Sequence, residues 1–352
     1  MIQRIRNLLR SQHRYGSPYY RSWLRFKKNR RGYVSLKIFV VLFVLSLFAE
    51  VWSNDKPIVV HFEDAYYFPI FKKYSESFFG GVFDTEADYN DPYVRDLLSE
   101  GDNWAWYPFN PYSYDTINYF TRHPNPAPPS SDNLLGTDDH GRDVLARLIY
   151  GFRLSVIFAL GLTFLGIVMG VVAGAIQGYF GGKLDLFAQR LIEIWSSMPE
   201  LYLLIIFASI FTPSMLLLLI ILSLFGWMGL ADYVRAEFLR GRNMDYVMAA
   251  RAMGVSNRNI MFKHLLPNSM TPVVTFLPFR ISGAIIALTS LDFLGLGVPP
   301  PTPSLGDLLA QGKDNISAWW LSMFTFIVLV GTLNLLIFIG EGVREAFDTR
   351  KG

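Results

Sequence analysis

The strongest constraint on this chain is the recurrence of apolar runs, each near the length of a bilayer core. They lie at Leu36 to Val51, Leu154 to Ile176, Leu184 to Phe211, Met215 to Leu230, Val273 to Leu291 and Trp320 to Ile339. A helix rises about 1.5 Å per residue, so a hydrocarbon layer of about 30 Å takes about 20 such residues. The composition agrees: 51% hydrophobic and only 17% charged residues, with mean hydropathy +0.28, is too apolar for an ordinary soluble domain. The expected fold is an all-α integral membrane protein with six transmembrane helices and both termini on the same, cytoplasmic side. No alternating β-barrel pattern or solenoid repeat is present. The chain has no cysteine, which excludes disulfides, thiolate catalysis and cysteine-held metals.

Charge sets the orientation. Arg4, Arg6, Arg10, Arg14, Arg21, Arg25, Lys27, Lys28, Arg30 and Arg31 precede the first apolar run with no acid among them. A nucleic-acid arm has this look, but basic residues flanking an apolar helix hold that end in the cytoplasm, and no nucleic-acid partner is expected. The basic region is too long for a cleavable signal peptide. The expected boundaries are a basic cytoplasmic N-terminus (1–33), a first span (34–51), an extramembrane insertion (52–151), a five-span core (152–340) and a cytoplasmic tail (341–352). The insertion is acidic at Asp84, Glu86, Asp88, Asp91, Asp96, Glu100 and Asp102, which places it outside the cytoplasm. Its aromatics Trp104, Trp106, Tyr107 and Tyr112 either stack on a ligand or pack a small domain. The segment around Glu193 and Pro199 mixes polar and apolar residues, so it is expected to be kinked and buried among other helices.

The long inner loop, 232–270, has internal order. Asn243 or Asp245 can cap a short helix, Asp245 to Met253, which Gly254 ends in a left-handed conformation. Ser256 then caps a second helix that runs to Pro267, where re-entry into the membrane is expected. Small Ala249 and Ala250 permit close approach by another protein. Among charges inside the spans, Arg190 and Glu193 sit one turn apart and can pair. Arg280, between Pro278 and Gly283, either faces a translocation path or pairs with Glu200. Asp138, Asp139, His140 and Asp143 are crowded, but adjacent carboxylates converge on a cation only if the loop folds around it, so no metal site is expected. A turn with Arg142 and Asp143 tied to backbone is the simpler reading. A GxxxxGK[ST] phosphate loop is absent, so the chain cannot bind ATP that way and is not expected to be an enzyme.

Met248-Ala249-Ala250, Gly254 and Leu266-Pro267 resemble the EAA loop of bacterial ABC importer permeases, with Met248 where that family has glutamate. Leu135-Gly136-Thr137-Asp138-Asp139-His140-Gly141-Arg142-Asp143 resembles the LGTDxxGRD signature of the oligopeptide and dipeptide branch. Phe293 to Val298 with Gly295 and Gly297, Trp319-Trp320 and Gly342 to Asp348 resemble the same branch. The likeness covers about Leu134 to Arg350 and the first span. It implies an inner-membrane ABC importer permease fold with a periplasmic insertion, translocating oligopeptides by alternating access. It also implies that Asp245, Met248, Ala249, Ala250, Arg251, Gly254, Val255, Ser256, Leu266 and Pro267 couple the chain to a cytosolic ATP-binding subunit. A second homologous permease in a heterodimer and a periplasmic peptide-binding protein are implied as partners. ATP and magnesium belong to the ATPase subunits, and no cofactor is implied in this chain. Arg280, Glu193 and Glu200 are the path candidates. The outer insertion and long basic N-terminus most resemble the permease of a system that imports oligopeptides and the peptide-nucleotide antibiotic microcin C. The rivals are an ion-gradient-driven secondary transporter, which uses broken helices and intramembrane carboxylates, and a membrane-anchored scaffold.

Overall fold

The computed structural model describes residues 18–348. The expected basic residues Arg4, Arg6, Arg10 and Arg14, and Arg350 and Lys351 of the tail, lie outside them. Helices dominate: α1 (Pro18–Lys28), α2 (Arg30–Leu47), α3 (Val144–Phe180), α4 (Gly182–Ser196), α5 (Glu200–Ile210), α6 (Met215–Gly226), α7 (Met228–Gly241), α8 (Asp245–Ala252), α9 (Thr271–Phe293), α10 (Leu305–Asp314) and α11 (Trp319–Phe347). Four rods are long and apolar enough to cross a membrane, namely α3, the joined α6 and α7 (Met215–Gly241), α9 and α11. The pair α4 and α5, bent by 66°, adds a fifth if it forms one broken span. Helix α2 has 18 residues but carries Arg30, Arg31 and Lys37.

Several boundaries differ from the sequence reading. Helix α3 begins at Val144, not near Leu154, because Asp143 caps it. Helix α7 runs to Gly241, which shortens the inner connection to 242–270, and α11 continues through most of the expected tail to Phe347. The kink before Pro199 is present, but the segment around it is not buried in this chain: Phe187, Leu191, Ile194, Tyr202 and Ile206 are all exposed.

The chain forms two compact units. One comprises residues 18–40, 156–287 and 331–348 of the described chain, the other Val41–Ser155 and Leu288–Val330. In the first, α3 carries Gly166, Gly170, Gly174 and Gly178 at four-residue spacing, one stripe of a helix. The last three lie against α7 and the residue before it: a Cβ on Gly170 would sit 2.9 Å from the Trp227 carbonyl oxygen, one on Gly174 2.9 Å from Val234 Cβ, and one on Gly178 2.5 Å from Phe238 Cβ. Without Cβ atoms the two backbones approach closely and gain dispersion contacts that lipid would not supply. Asp185 in α4 accepts two bonds from the Arg235 guanidinium, at 2.5 and 2.7 Å, adding a bidentate tie to α7.

The second unit departs from an all-α fold. Its insertion holds an antiparallel sheet of β1 (Val59–Phe62), β2 (Ala65–Tyr67) and β3 (Trp104–Trp106) in the order β2-β1-β3. Val60 and Phe62, two apart on β1, point into a core with Phe79, Ala87, Tyr89, Val94 and Leu98. Tyr107 packs against that core and Tyr112 is buried, whereas Trp104 and Trp106 remain exposed, so the four aromatics divide between packing and surface. Glu86 joins Lys56 and Lys73; burial raises its carboxyl pKa, but these two ammonium groups more than offset that and hold it below the ordinary range.

Replacing Gly174 with Val should force α3 and α7 apart, and overpacking of this kind costs about 1–3 kcal/mol. Thermal unfolding of the detergent-solubilised protein is expected to shift down, with Gly174→Ala intermediate.

Candidate functional site

The inner connection is built on a rigid base. Helix α8 buries Val247 and Ala250, at 0% and 3% exposure, in a cluster with Ala175, Tyr179, Val234, Phe238, Ile260 and Leu265. Its outer face presents Tyr246, Met248 and Ala249, followed by Met253 at 76% exposure. Ala249 is thus available for close approach and Ala250 is not. The sequence pairs them, but one residue turns a helix by about 100° and carries Ala250 onto the core side.

Neither Asn243 nor Asp245 caps α8. Met244 occupies the cap position with no side-chain bond, and Asp245 lies in the first turn, where its charge favours the helix dipole. The exit is as expected: Gly254 has φ 78°, its N–H donates to Arg251 O (3.0 Å), and Val255 N–H donates to Ala250 O (3.1 Å), a Schellman closure. Ser256 stands at the next cap position without a side-chain bond. The chain then winds as a helix with a wide-turn π segment, Ile260–Leu265, immediately before Leu266 and Pro267. A proline cannot donate to the preceding turn and clashes with it, and a wider turn makes room for the ring. Pro267 therefore sits within helical chain, with Leu266 packed on the core edge.

Sequence reasoning missed three residues that brace this element. The Tyr179 hydroxyl donates to Asn257 Oδ1 (2.7 Å), and the Arg251 guanidinium lies over the Tyr179 ring, 5.7 Å from its centroid. Arg242 donates to the Gly178 and Tyr179 carbonyls at the end of α3, at 3.5 and 3.4 Å. Arg242 is one of several basic residues near the loop, with Arg240, Arg251, Arg258 and Lys263, and among them its role as a helix cap does not stand out.

The signature loop is a buried polar knot. Asp138, at 0% exposure, accepts from Arg142 Nε (2.7 Å) and from the His140 and Arg142 main-chain N–H groups. Arg147, also buried, lies 3.4 Å from Asp138 and 2.9 Å from Asp307 in α10. Arg142 is thus held by a carboxylate rather than by backbone. Asp143 accepts from Ala146 N–H (2.8 Å), Asn110 (2.7 Å) and Asn133 (2.9 Å). Burial pushes its carboxyl up, and these donors only partly counter that. Asp138, Asp139 and His140 can bring one ligand atom each within 4.8 Å, but the Asp138 oxygens are already committed to two arginines and two N–H groups. Thr137 receives Trp320 Nε1–H on its carbonyl (3.1 Å), and Gly136 and Gly141 take φ 80° and 82° to make the turns. The second glycine pair closes around Asp292, which accepts from Val298 N–H and the Ser304 hydroxyl; Gly295 has φ 73°, and Gly297 leaves no space for a Cβ against Asp292.

Among the intramembrane charges, Arg190 donates to Glu193 (2.5 Å), and both are exposed. Arg280 does not pair with Glu200. Its Nη2 donates to the Gly226 carbonyl, where α6 ends, beside Gly166, and its Nε is buried without a hydrogen-bond partner. The carbonyl at a helix C-terminus is an orphan acceptor at the negative end of the dipole, which is what draws the guanidinium there.

These features define a polytopic helical membrane protein with an ordered helix exposed outside its apolar rods. The chain belongs to the family of binding-protein-dependent transport system inner membrane components, matched over residues 166–351. Residues 17–68 match the N-terminal TM domain of oligopeptide transport permease C. The chain is 54% identical to the inner membrane ABC transporter permease protein YejE of Escherichia coli, over 94% of this chain and 96% of that one. It is 50% identical to the peptidoglycan transport system permease protein YejE of Agrobacterium fabrum, over 94% and 93%. It is 34% identical to the oligopeptide transport system permease protein OppC of Haemophilus influenzae, over 69% and 78%.

Arg147→Ala should leave buried Asp138 with Arg142 as its remaining cation and half-exposed Asp307 without its ion pair, and breaking a buried pair costs about 3–5 kcal/mol. The expected readout is loss of folded protein in fluorescence-detected size exclusion, with a smaller loss for Asp307→Asn, whose carboxylate is half exposed.

Proposed function

We propose that this chain is one permease subunit of an ATP-driven importer that carries peptides into the cytoplasm. The observation that carries this reading is α8, whose outer face is exposed and whose Val247 and Ala250 are buried in one cluster with residues of α3, α7 and the start of α9. Force applied to Met248, Ala249 and Met253 reaches those helices through Val247 and Ala250, so a separate motor protein can work them. Of the ten residues named from the sequence, Met248 and Ala249 lie on the contact face and Ala250 in its support, and Met253 and Val247 join them from outside that set. The contact is hydrophobic, since Met248 and Met253 offer adaptable apolar side chains and no acid.

In this reading α2 and the bent α4 and α5 complete six spans, both termini lie in the cytoplasm and the insertion lies in the periplasm. Partners are a second permease, cytosolic ATPase subunits that hold ATP and magnesium, and a periplasmic binding protein. Transport proceeds by alternating access, with ATP binding biasing two states of unequal affinity. The exposed face of α4 and α5 supports contact with the second permease. One relative's name gives oligopeptide and another's gives peptidoglycan; their common chemistry is the peptide, and peptide-nucleotide conjugates such as microcin C fall in the same class. Arg280, Glu193 and Glu200 are assigned to the path. A gradient-driven carrier is the second reading, and a proton gradient alone supporting uptake in vesicles that contain the whole assembly without ATP would favour it.

Because the chain lacks cysteine, single replacements report cleanly. Ala249→Cys and Met253→Cys in the assembled transporter should crosslink to an ATPase subunit and change yield with nucleotide, whereas Ala250→Cys should not react until the protein unfolds. Crosslinks absent from both exposed positions would overturn the coupling role. Arg280→Gln should leave assembly intact and lower ATP-dependent peptide uptake roughly tenfold, the loss of one charge-assisted contact of about 1.4 kcal/mol. Normal uptake in that variant removes Arg280 from the path.

A further inference from the structure

Helix α1 has two unlike faces. Ser22 and Phe26, one turn apart, are buried, with Phe26 beside Gly32 and Gly342. Arg25 donates to the Asp348 main-chain carbonyl (3.3 Å), and Asn29 donates to Glu345 (2.7 Å). These contacts fix the helix on the end of α11. On the other side Trp23 and Leu24 are 42% and 43% exposed, flanked by exposed Arg21, Lys27 and Lys28. Arg30 and Arg31, in the first turn of α2, are exposed as well.

The exposed side is cationic without compensation. No acid occurs between residues 18 and 31, and among the described residues Arg21, Lys27, Lys28, Arg30 and Arg31 form no ion pair. Lys28 also borders the groove between α1 and the end of α11 that Glu345 and Asp348 line, where Asn29 donates to Glu345. Lys27 Nζ lies 5.3 Å from the Trp23 ring centroid, so its stem follows the aromatic surface while the ammonium stays outside. An indole and a leucine flanked by lysines and an arginine are the side chains that suit a bilayer interface, where the ring sits among headgroups and the cations meet phosphate. Chain continuity places them there: α2 starts two residues after α1 and is apolar from Ile38 to Leu47.

We propose that α1 is an interfacial anchor that binds anionic phospholipid headgroups through Arg21, Lys27 and Lys28, with Trp23 and Leu24 inserted beside them. Charge complementarity selects the occupant, since a zwitterionic surface satisfies the indole but not an uncompensated row of cations. Basic residues at an acidic membrane surface favour it about fivefold each, and salt screens the effect over about 10 Å.

The test uses the full chain with Leu24→Cys carrying a fluorophore, the only thiol present, in phosphatidylcholine nanodiscs. A minor fraction of headgroup-spin-labelled phosphatidylglycerol, or the same amount of spin-labelled phosphatidylcholine, is the quencher. Quenching by phosphatidylglycerol should exceed that by phosphatidylcholine several-fold at low salt and approach parity at high salt. Arg21→Gln, Lys27→Gln and Lys28→Gln together should abolish the preference, while Arg21→Lys should retain it. These side chains are exposed, so the variants should fold, which size exclusion checks. Equal quenching by the two lipids, or a preference that survives the triple substitution, would overturn headgroup binding. No quenching by either lipid would assign the face to a protein instead.

Discussion

The close approach of α3 and α7 is the contact on which the first unit depends. In a bilayer, burial of apolar surface does little to hold helices together, because lipid chains are as apolar as leucine. Packing and backbone proximity must do it. Gly170, Gly174 and Gly178 bring the two backbones together, and that proximity positions Val234 and Phe238 to form the floor on which Val247 and Ala250 rest. A wider separation would leave α8 without its seat, and an exposed helix that slides on its support transmits no force. Arg242, capping the end of α3, closes the same corner.

In the second unit, buried charge plays the corresponding part. An ionised group out of water is costly unless paired and hydrogen-bonded. Asp138, Arg142 and Arg147 meet that cost by alternating in sign, half-exposed Asp307 pairs the far side of Arg147, and two asparagines and a main-chain N–H offset part of it for Asp143. Such a group tolerates few rearrangements, since moving any member strands another. The loop signature therefore works as an architectural device, with its glycines making turns that L side chains resist. The acid-rich spelling that invites a metal reading results from this internal pairing.

The apolar rods were legible because hydropathy over about 20 residues is a strong signal, and Gly254 was legible because a left-handed exit has few alternatives. What the residue pattern hid has identifiable causes. Arg30, Arg31 and Lys37 lie within α2 and dilute its apolar character, so its membrane-crossing length is less plain than that of the other rods. Pro267 predicted a break, yet the π segment before it absorbs the ring and keeps the helix going. Arg280 and Glu200 were natural partners by charge, but an orphan carbonyl at Gly226 is closer at hand. The glycine stripe on α3 was not read from the sequence, although its four-residue spacing is there, and only a structure names its counterpart. The β-sheet of the insertion was hidden because strands of three or four residues are too short to show an alternation.

The pair Ala249 and Ala250 shows how a motif and a geometry carry different information. As letters, two small residues in succession mark a place where something approaches closely. On a helix of 3.6 residues per turn, consecutive positions cannot share a face, so the two alanines serve two different neighbours. Ala250 lets α8 sink onto the chain's own core, and Ala249 stays exposed on the outer face, where the proposed assembly would place its second body. A lever needs both contacts to be tight, since slack on either side is lost motion. With Met248 beside them in place of an acid, the proposed outer contact would depend on shape and dispersion rather than on a fixed salt bridge.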